Sequence, residues 1–529
     1  MKIDKKVNYS KILALSSYLF LNTIVIFTGL AAGTCLAITV DVNDFNSLEE
    51  AVGDDDISTI NIKVDFIAIG QKLPVIKRDL VIYGVASRST LYGNNAYRIL
   101  TFDKDARNVT INNINFENGS NIDYTDTFGG AILAIEVTNI TLNSINFSNN
   151  TIVHDGGAIH SRGTAQSKNT LTFNGRTTFS GNRSTAGNGG AIYANHSDLA
   201  FDGEVKFMNN SSFNDGGAIM ISSGEKNEVN VTFNRLATFE KNSSCAGSAI
   251  YLDGNVNIRF NSGLRLIGNI TEAEQSGAIE IRERETIDGR KIEGYRARVT
   301  IVQENPDYST EFKGNKSGGD GRNAFYLHRR AELNFTVENG NIDLYDVITG
   351  DVRYDSNFVT INEGAGWFNV REGGSINSVN FRNRGNLNLA SAEPSELKLQ
   401  NFTNSGTARF AIFADGKNDK IRAYNITLEK GAILELVATE GEYKEGSTYD
   451  ILVSRSAIVG TENINLVPLG DSNIQDIQGK FINGNKVYRI FIGKDDTAET
   501  DLVDFTEEIE EAEKRNMNNT NNSIATDQQ

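Results

Sequence analysis

A pair of short motifs, Phe-x-x-Asn and then Gly-Gly-Ala-Ile, returns through the middle of the chain and restricts its fold more than any other feature. Three copies are complete. They are Phe147-Ser-Asn-Asn150 with Gly156-Gly157-Ala-Ile159, Phe179-Ser-Gly-Asn182 with Gly189-Gly190-Ala-Ile192, and Phe207-Met-Asn-Asn210 with Gly216-Gly217-Ala-Ile219. Degraded copies follow at Phe239/Asn242 with Gly247-Ser-Ala-Ile250, Leu266/Asn269 with Ser276-Gly-Ala-Ile279, and Phe312/Asn315 with Arg322-Asn-Ala-Phe325, and an unpaired Gly129-Gly-Ala-Ile132 precedes them all. Successive copies start 32, 28, 32, 27 and 46 residues apart, whereas the step from Phe (or Leu) to its tetrad stays between 8 and 10. A unit that is constant within and variable between is the signature of a stacked repeat.

The segments before each Phe decide between strand and helix. Leu171-x-Phe173, Leu199-x-Phe201 and Val231-x-Phe233 carry apolar residues at spacing two, followed by Asn or Asp and, in the first two, by Gly. That is a half-buried strand, a sharp corner and a second strand. Helical repeats would need apolar residues at three- and four-residue spacing and few glycines, but this chain has 49. Leu80-Val-Ile-Tyr83, Val109-Thr-Ile111 and Ile140-Thr-Leu142 extend the rhythm upstream at steps of 29 and 31. A propeller blade needs four strands in roughly 40 residues. The shorter unit predicts an all-β chain, a right-handed parallel β-helix of the pectin-lyase type with about one coil per repeat. Each Phe is expected to stack inward on the Phe one coil away. Each motif Asn is expected at a corner, in left-handed conformation and in an amide ladder; the tetrad supplies the next corner through Gly and returns to the core at Ile.

The flanks divide the chain further. Residues 1–37 read as an export signal, with Lys2, Lys5, Lys6 and Lys11 ahead of an apolar run from Ile12 to Ala37, a retained N-terminal anchor being the alternative. Residues 38–100 are assigned to an N-terminal cap and the first coils, with Ser47-x-x-Glu50 predicting a short capping helix. Coils with the paired motifs occupy 101–328, and strand patterns without tetrads continue over 329–493, among them Leu397-Lys-Leu-Gln-Asn-Phe402 and Ala432-Ile-Leu-Glu-Leu-Val437. The acidic, Asn-rich stretch 494–529 is expected to be disordered. Cleavage after Ala37 would leave Cys245 as the sole cysteine and take the net charge from −17 to −20. That balance argues against nucleic acid and anionic membrane as partners.

In their paired motifs, residues 100–328 resemble the repeats of the chlamydial polymorphic outer membrane proteins and of related autotransporter passengers. The resemblance implies a surface-displayed β-helix, adhesin-like or antigenic, with possible outer-membrane association, whose partner is a host or neighbouring cell surface, a glycan or a matrix protein. That family ends in a membrane-spanning barrel, and the residues after Gly493 lack its alternating strands. A truncated passenger is therefore one alternative reading.

Enzymatic chemistry on such a scaffold requires a unique cluster rather than a repeated one. Asp155, Asn188 and Asp215 stand before successive tetrads, and a residue repeated once per coil is expected in a corner ladder. His154 and His160 flank a tetrad without a third ligand at suitable spacing and are expected in surface turns; His196 and His328 show no partner. No catalytic, cofactor or metal-binding residue is assigned. The alternative is a carbohydrate-active enzyme, a lyase or hydrolase, which needs acidic and basic groups on adjacent coils. The best candidate for specific binding is the insertion in the 46-residue step, with Arg282, Glu283, Arg284, Arg290, Lys291, Tyr295 and Arg298, because insertions in solenoids map to exposed loops.

Overall fold

Residues 37–85, 88–121, 126–223, 227–283, 286–287, 290–291, 296–318, 321–351, 356–469 and 476–493 are described in a computed structural model. Residues 1–36, on which the export-signal expectation falls, the stretch 494–529, Arg284 and Tyr295 lie outside the described residues. The chain forms a parallel β-helix built as two compact units, Met1–Val302 with Phe312–Ala331, and Gln303–Glu311 with Glu332–Gln529.

In the first unit a coil consists of four strands. One runs Asn139–Asn143, Asn146–Ser148, Thr151–Ile152 and Ile159–Arg162, and the next coil repeats them at Asn169–Asn174, Thr177–Ser180, Arg183–Ser184 and Ile192–Asn195. Equivalent strands pair in parallel and in register, with Leu80 against Val109 and Val109 against Ile140, as the upstream rhythm predicts. Alternation then does the sorting. Ile140 and Leu142 are buried while Asn139, Thr141 and Asn143 face outward.

Identical inward positions produce ladders of identical side chains. Phe116, Phe147, Phe179, Phe207 and Phe239 form one column with ring centroids 4.7–5.0 Å apart and planes within 10° of parallel. Phe173, Phe201, Phe233 and Phe260 form a second column at 4.5–4.6 Å. The columns meet edge-on at Phe173–Phe179, Phe201–Phe207 and Phe233–Phe239, the arrangement that ring quadrupoles favour.

The motif Asn residues form the expected ladder, but they are not the left-handed residues of the corner. Positive φ falls one residue earlier, at Asn149, Gly181, Asn209, Lys241, Gly268 and Gly314. This turn directs the next side chain inward, so Asn150, Asn182, Asn210, Asn242, Asn269 and Asn315 are all 0% exposed. Each of the first five donates its amide to the oxygen of the next at 2.8–3.0 Å, and all six also donate to a carbonyl of the preceding coil, Asn182 to Phe147 for example.

The N-terminal helix spans Phe45–Gly53, but it starts earlier than the Ser47-x-x-Glu50 pattern predicts. Asp44 is the cap. Its carboxylate accepts the Ser47 N–H at 2.8 Å, which places Ser47 at the third helical position. The helix does not precede the first coil; it links the paired parallel strands Ile38–Val42 and Ile57–Ile62. Leu48, Ala51 and Val52 are its buried side, and Arg78 donates to the free carbonyls of Ala51 and Val52 at its C-terminal end.

The second unit keeps parallel coils under a different side-chain code. Glu396–Asn404 pairs with Lys420–Leu428, and Thr407–Ile412 with Ile433–Ala438. Outward amides bond between coils here, Asn425 donating to Asn401 at 2.7 Å, beside a buried pair in which Asn383 donates to Asn404 at 2.8 Å. Thr448–Ser454 then pairs antiparallel with Val487–Ile492, which in turn pairs with Ile477–Ile482. All six residues of Val487–Ile492 are buried.

Candidate functional site

The residue after each tetrad faces away from the core, yet in this protein it is covered. His160, Tyr193, Met220, Tyr251, Glu280 and Tyr326 stand in register on adjacent coils as one column. Two positions further on, Arg162, Asn195, Ser222, Asp253 and Arg282 form a second column beside it. Every member of the first column but Tyr193 is buried.

His160 is therefore not a surface turn residue. It is 3% exposed, stacked on Tyr193 at 5.0 Å and packed against Phe128 at 4.8 Å. The ring hydrogen-bonds the backbone of Asp155 on one side, while Nδ1 meets no partner. A proton there would be buried without an acceptor, and burial, aided by Arg162, pushes the imidazole down to about 3. Because the folded value lies below the ordinary 6.5, the neutral ring's contribution is full above 6.5 and is lost as pH falls toward 3. Replacing His160 with Phe is expected to remove that loss. The variant should gain about 3 kcal/mol over the wild type at pH 4 relative to pH 7, measured as the difference between the two denaturation curves across pH. Parallel curves would refute the assignment. The difference is the needed readout because Asp215 works in the opposite direction. Its carboxyl is raised from 3.8 to about 6, so its stabilising contribution is present below 3.8 and lost as pH rises through 6.

His154 remains exposed and bonds to Thr127, with its ring 5.6 Å from Phe128. Asp155, Asn188 and Asp215 form the corner ladder expected of them. Asn188 donates to Asp155 Oδ1 through its backbone at 2.8 Å and its side chain at 3.0 Å, and the Asp215 N–H donates to Asn188 Oδ1 at 3.1 Å.

At its far end the ladder meets a mixed acid–base cluster that the sequence does not reveal. His328 does have a partner, with Nε2 2.7 Å from Glu280 Oε1, and Ser276 donates to Glu280 Oε2 at 2.7 Å. Arg282 donates to the Tyr251 hydroxyl at 3.0 Å. Burial, then Glu280 and Asp253, raise the Asp215 carboxyl to about 6, against the opposing pull of Arg282. Burial raises the Tyr251 phenol as well. Acidic and basic groups thus do lie on adjacent coils, the arrangement an enzyme would require. Glu280, however, is only 4% exposed and already holds two partners. A substrate carbonyl or glycosidic oxygen must come within hydrogen-bond reach of a catalytic acid. The cluster is a mutually neutralising wall, and Asp215 is its most accessible carboxylate.

Two insertion residues contact this wall, Arg282 from an exposed position and Glu283 from a buried one. Arg282 is engaged with Tyr251, and Glu283, 4% exposed, pairs with Arg330 at 3.1 Å. Arg298 sits in a regular strand opposite Asn257. Between them Thr286–Ile287 and Arg290–Lys291 pair antiparallel as a small hairpin. Cys245 is a free, exposed thiol raised above its ordinary value by burial and the nearby Asp215, which disfavours a reactive thiolate. Among the described residues, no three His, Cys, Asp or Glu side chains converge to hold a metal ion.

The sequence signal for the cluster was the column after the tetrad, where Glu280 replaces aromatic or apolar neighbours. The insertion between residues 282 and 298 breaks the step from Glu280 to Tyr326 and hides the register.

Residues 144–162 and 176–195 match the sequence model of the Chlamydia polymorphic membrane protein repeat. Each match spans a complete Phe-x-x-Asn and Gly-Gly-Ala-Ile pair. No curated protein and no solved structure matches the chain.

Proposed function

We propose that this chain, a parallel β-helix carrying the Chlamydia polymorphic membrane protein repeat, is an exported, surface-displayed passenger that acts without catalysis by contacting other cells or matrix. The observation that carries this reading is the division of its polar groups. Unique charged residues of the first unit's tetrad flank are spent on one another, whereas the outward strands of the same unit present repeated, solvated side chains over many coils. Such a surface gains affinity by adding weak contacts along its length rather than by enclosing a ligand. Export through residues 1–37, display at the outer membrane or release, and an adhesin-like or antigenic role belong to this proposal. Purified protein is expected to bind cells saturably and to leave polysaccharides chemically unchanged. The enzyme alternative rests on Asp215 beside Glu280. Release of reducing or unsaturated ends, abolished by Asp215→Asn, would replace the present reading with it.

A further inference from the structure

On the first unit, the strands that follow the tetrad strands carry a pattern unrelated to folding. Outward residues of Asn108–Asn112 are Asn108, Thr110 and Asn112; those of Asn139–Asn143 are Asn139, Thr141 and Asn143. The next coils contribute Thr170, Thr172 and Asn174, then Asp198, Ala200 and Asp202, then Asn230, Thr232 and Asn234. Threonine or alanine thus runs down the centre, and mostly longer amides or carboxylates run down both sides. Flanking positions are four residues apart, so this shallow trough is about 13 Å across at 3.3 Å per residue.

The amides are held in one orientation. Asn139 donates to Asn108 at 3.0 Å, Asn143 to Asn112 at 2.7 Å, Asn174 to Asn143 at 2.8 Å and Asn261 to Asn234 at 2.7 Å. A primary amide has two N–H donors and two acceptor lone pairs, so each rung of such a ladder keeps a further donor and acceptor for a ligand. These recur at the inter-strand step of about 4.8 Å. Through the Asn230 rung the charges of the trough are all hydrogen-bonded, although the chain carries −17, and the following rung places the exposed Arg259 at the centre in register with Thr232, which ends this stretch. Its three carboxylates are occupied, Asp79 by the Asn108 N–H at 2.8 Å and amide at 3.0 Å, Asp198 by Lys168 at 2.6 Å and by the Asn230 N–H at 2.8 Å, and Asp202 by the Asn234 amide at 2.6 Å. At the N-terminal end of the Asn112 row stands Tyr83, in register with Asn112 and 45% exposed.

We propose that this trough binds an extended, uncharged polysaccharide lying along the solenoid axis, its hydroxyls bridging the amide and threonine rows and one sugar face resting on Tyr83. The proposal rests on the contact function above and names its ligand class. A polysaccharide repeats donors and acceptors once per sugar, at a step comparable with the inter-strand spacing. It also presents apolar C–H faces that an exposed aromatic ring covers. An acidic glycan or a nucleic acid would meet Asp198 and Asp202 with no unspent cation in those rungs. A protein surface would lack the matching translational repeat.

The test is retention of the full chain on insoluble cellulose, chitin and mannan, with polygalacturonate and heparin as charged comparisons and binding to cells scored in parallel. Retention on at least one uncharged polymer, resistant to added salt, is expected. The double variant Thr141→Lys/Thr172→Lys should weaken it by roughly tenfold or more, and Tyr83→Ala by a smaller factor, with unchanged thermal midpoints. Absence of retention on all three uncharged polymers, retention on the charged ones alone, or undiminished retention of the double variant would overturn the proposal. So would a change in self-association without a change in retention, which would make the trough an interface between copies. Cell binding without polymer binding removes the ligand class and leaves the contact function standing. Polymer binding lost in the double variant, without cell binding, does the reverse.

Discussion

Gly190→Ala is expected to abolish folding of the protein or cost more than ~4 kcal/mol. A Cβ at this position would lie 2.1 Å from the carbonyl oxygen of Gly217 and 2.6 Å from the carbonyl carbon of Ser211, both on the next coil. Neither is free to retreat. Gly190 N–H donates to Gly216 at 3.0 Å and Ala191 to Ala218 at 2.9 Å, so the coils are pinned on either side of the clash. The second glycine of the tetrad is required by the approach of two backbones, unlike the first, Gly189, whose φ is +63°. The comparison is Gly416→Ala, where φ is +91° but nothing lies within 4 Å. Conformational strain alone is expected to cost about 1 kcal/mol there. Soluble yield and thermal midpoint of the two variants separate the causes, and a Gly190→Ala protein melting within a few degrees of wild type would refute the steric argument. The chain itself accepts Ser248 at the equivalent position only where the pattern of coil bonds changes: Gly247 N–H donates to Ser276 Oγ at 3.1 Å, in place of the carbonyl that Gly189 and Gly216 use.

Asn182→Leu, which keeps the number of side-chain heavy atoms, should destabilise the protein by roughly 3–5 kcal/mol, since each buried group left unpaired costs about 1–3 kcal/mol. Asn182 Oδ1 accepts from both the backbone and the amide of Asn150, at 3.1 and 2.9 Å, and its Nδ2 donates to Phe147 and Asn210 at 3.1 and 2.9 Å. Leucine strands all four partners in a site without solvent. Asn234→Leu, on an outward ladder with an exposed side chain, should cost under about 1 kcal/mol because water replaces the lost bonds. Urea midpoints together with hydrogen exchange of the Asn150 amide test this. Equal losses for the two variants, or an unchanged Asn150 exchange rate, would contradict it.

The columns of Phe and Asn were legible because a stacked repeat places equal sequence positions directly above one another. A Phe 32 or 28 residues from the last needs no further information to find its neighbour. Which residue turns the corner was less legible. Asn is a common left-handed residue, but in this protein the position before the motif Asn takes that geometry and accepts Asn, Gly or Lys, so composition does not mark it. The N-terminal cap was misplaced by three residues, since Asp44 and Ser47 both suit a helix start and only the carboxylate's bond to Ser47 distinguishes them.

The acid–base wall was illegible for a different reason. His328 and Glu280 are 48 residues apart and Arg282 and Tyr251 are 31 apart, the first step lengthened by the insertion. By itself the sequence determined the scaffold: period-two apolar residues, corner residues and a repeat that lays like on like are sufficient to specify a parallel coil. Only the tertiary structure decided which outward side chains meet solvent. His160 and Glu280 point away from the core as Thr141 does. The segment leading into each tetrad folds over the first two, His160 lying under Asp155 and Phe128, and leaves the Asn–Thr strands solvent-facing. Burial of that kind depends on a neighbouring chain segment and not on strand alternation, and it turned apparent surface ligands into internal partners.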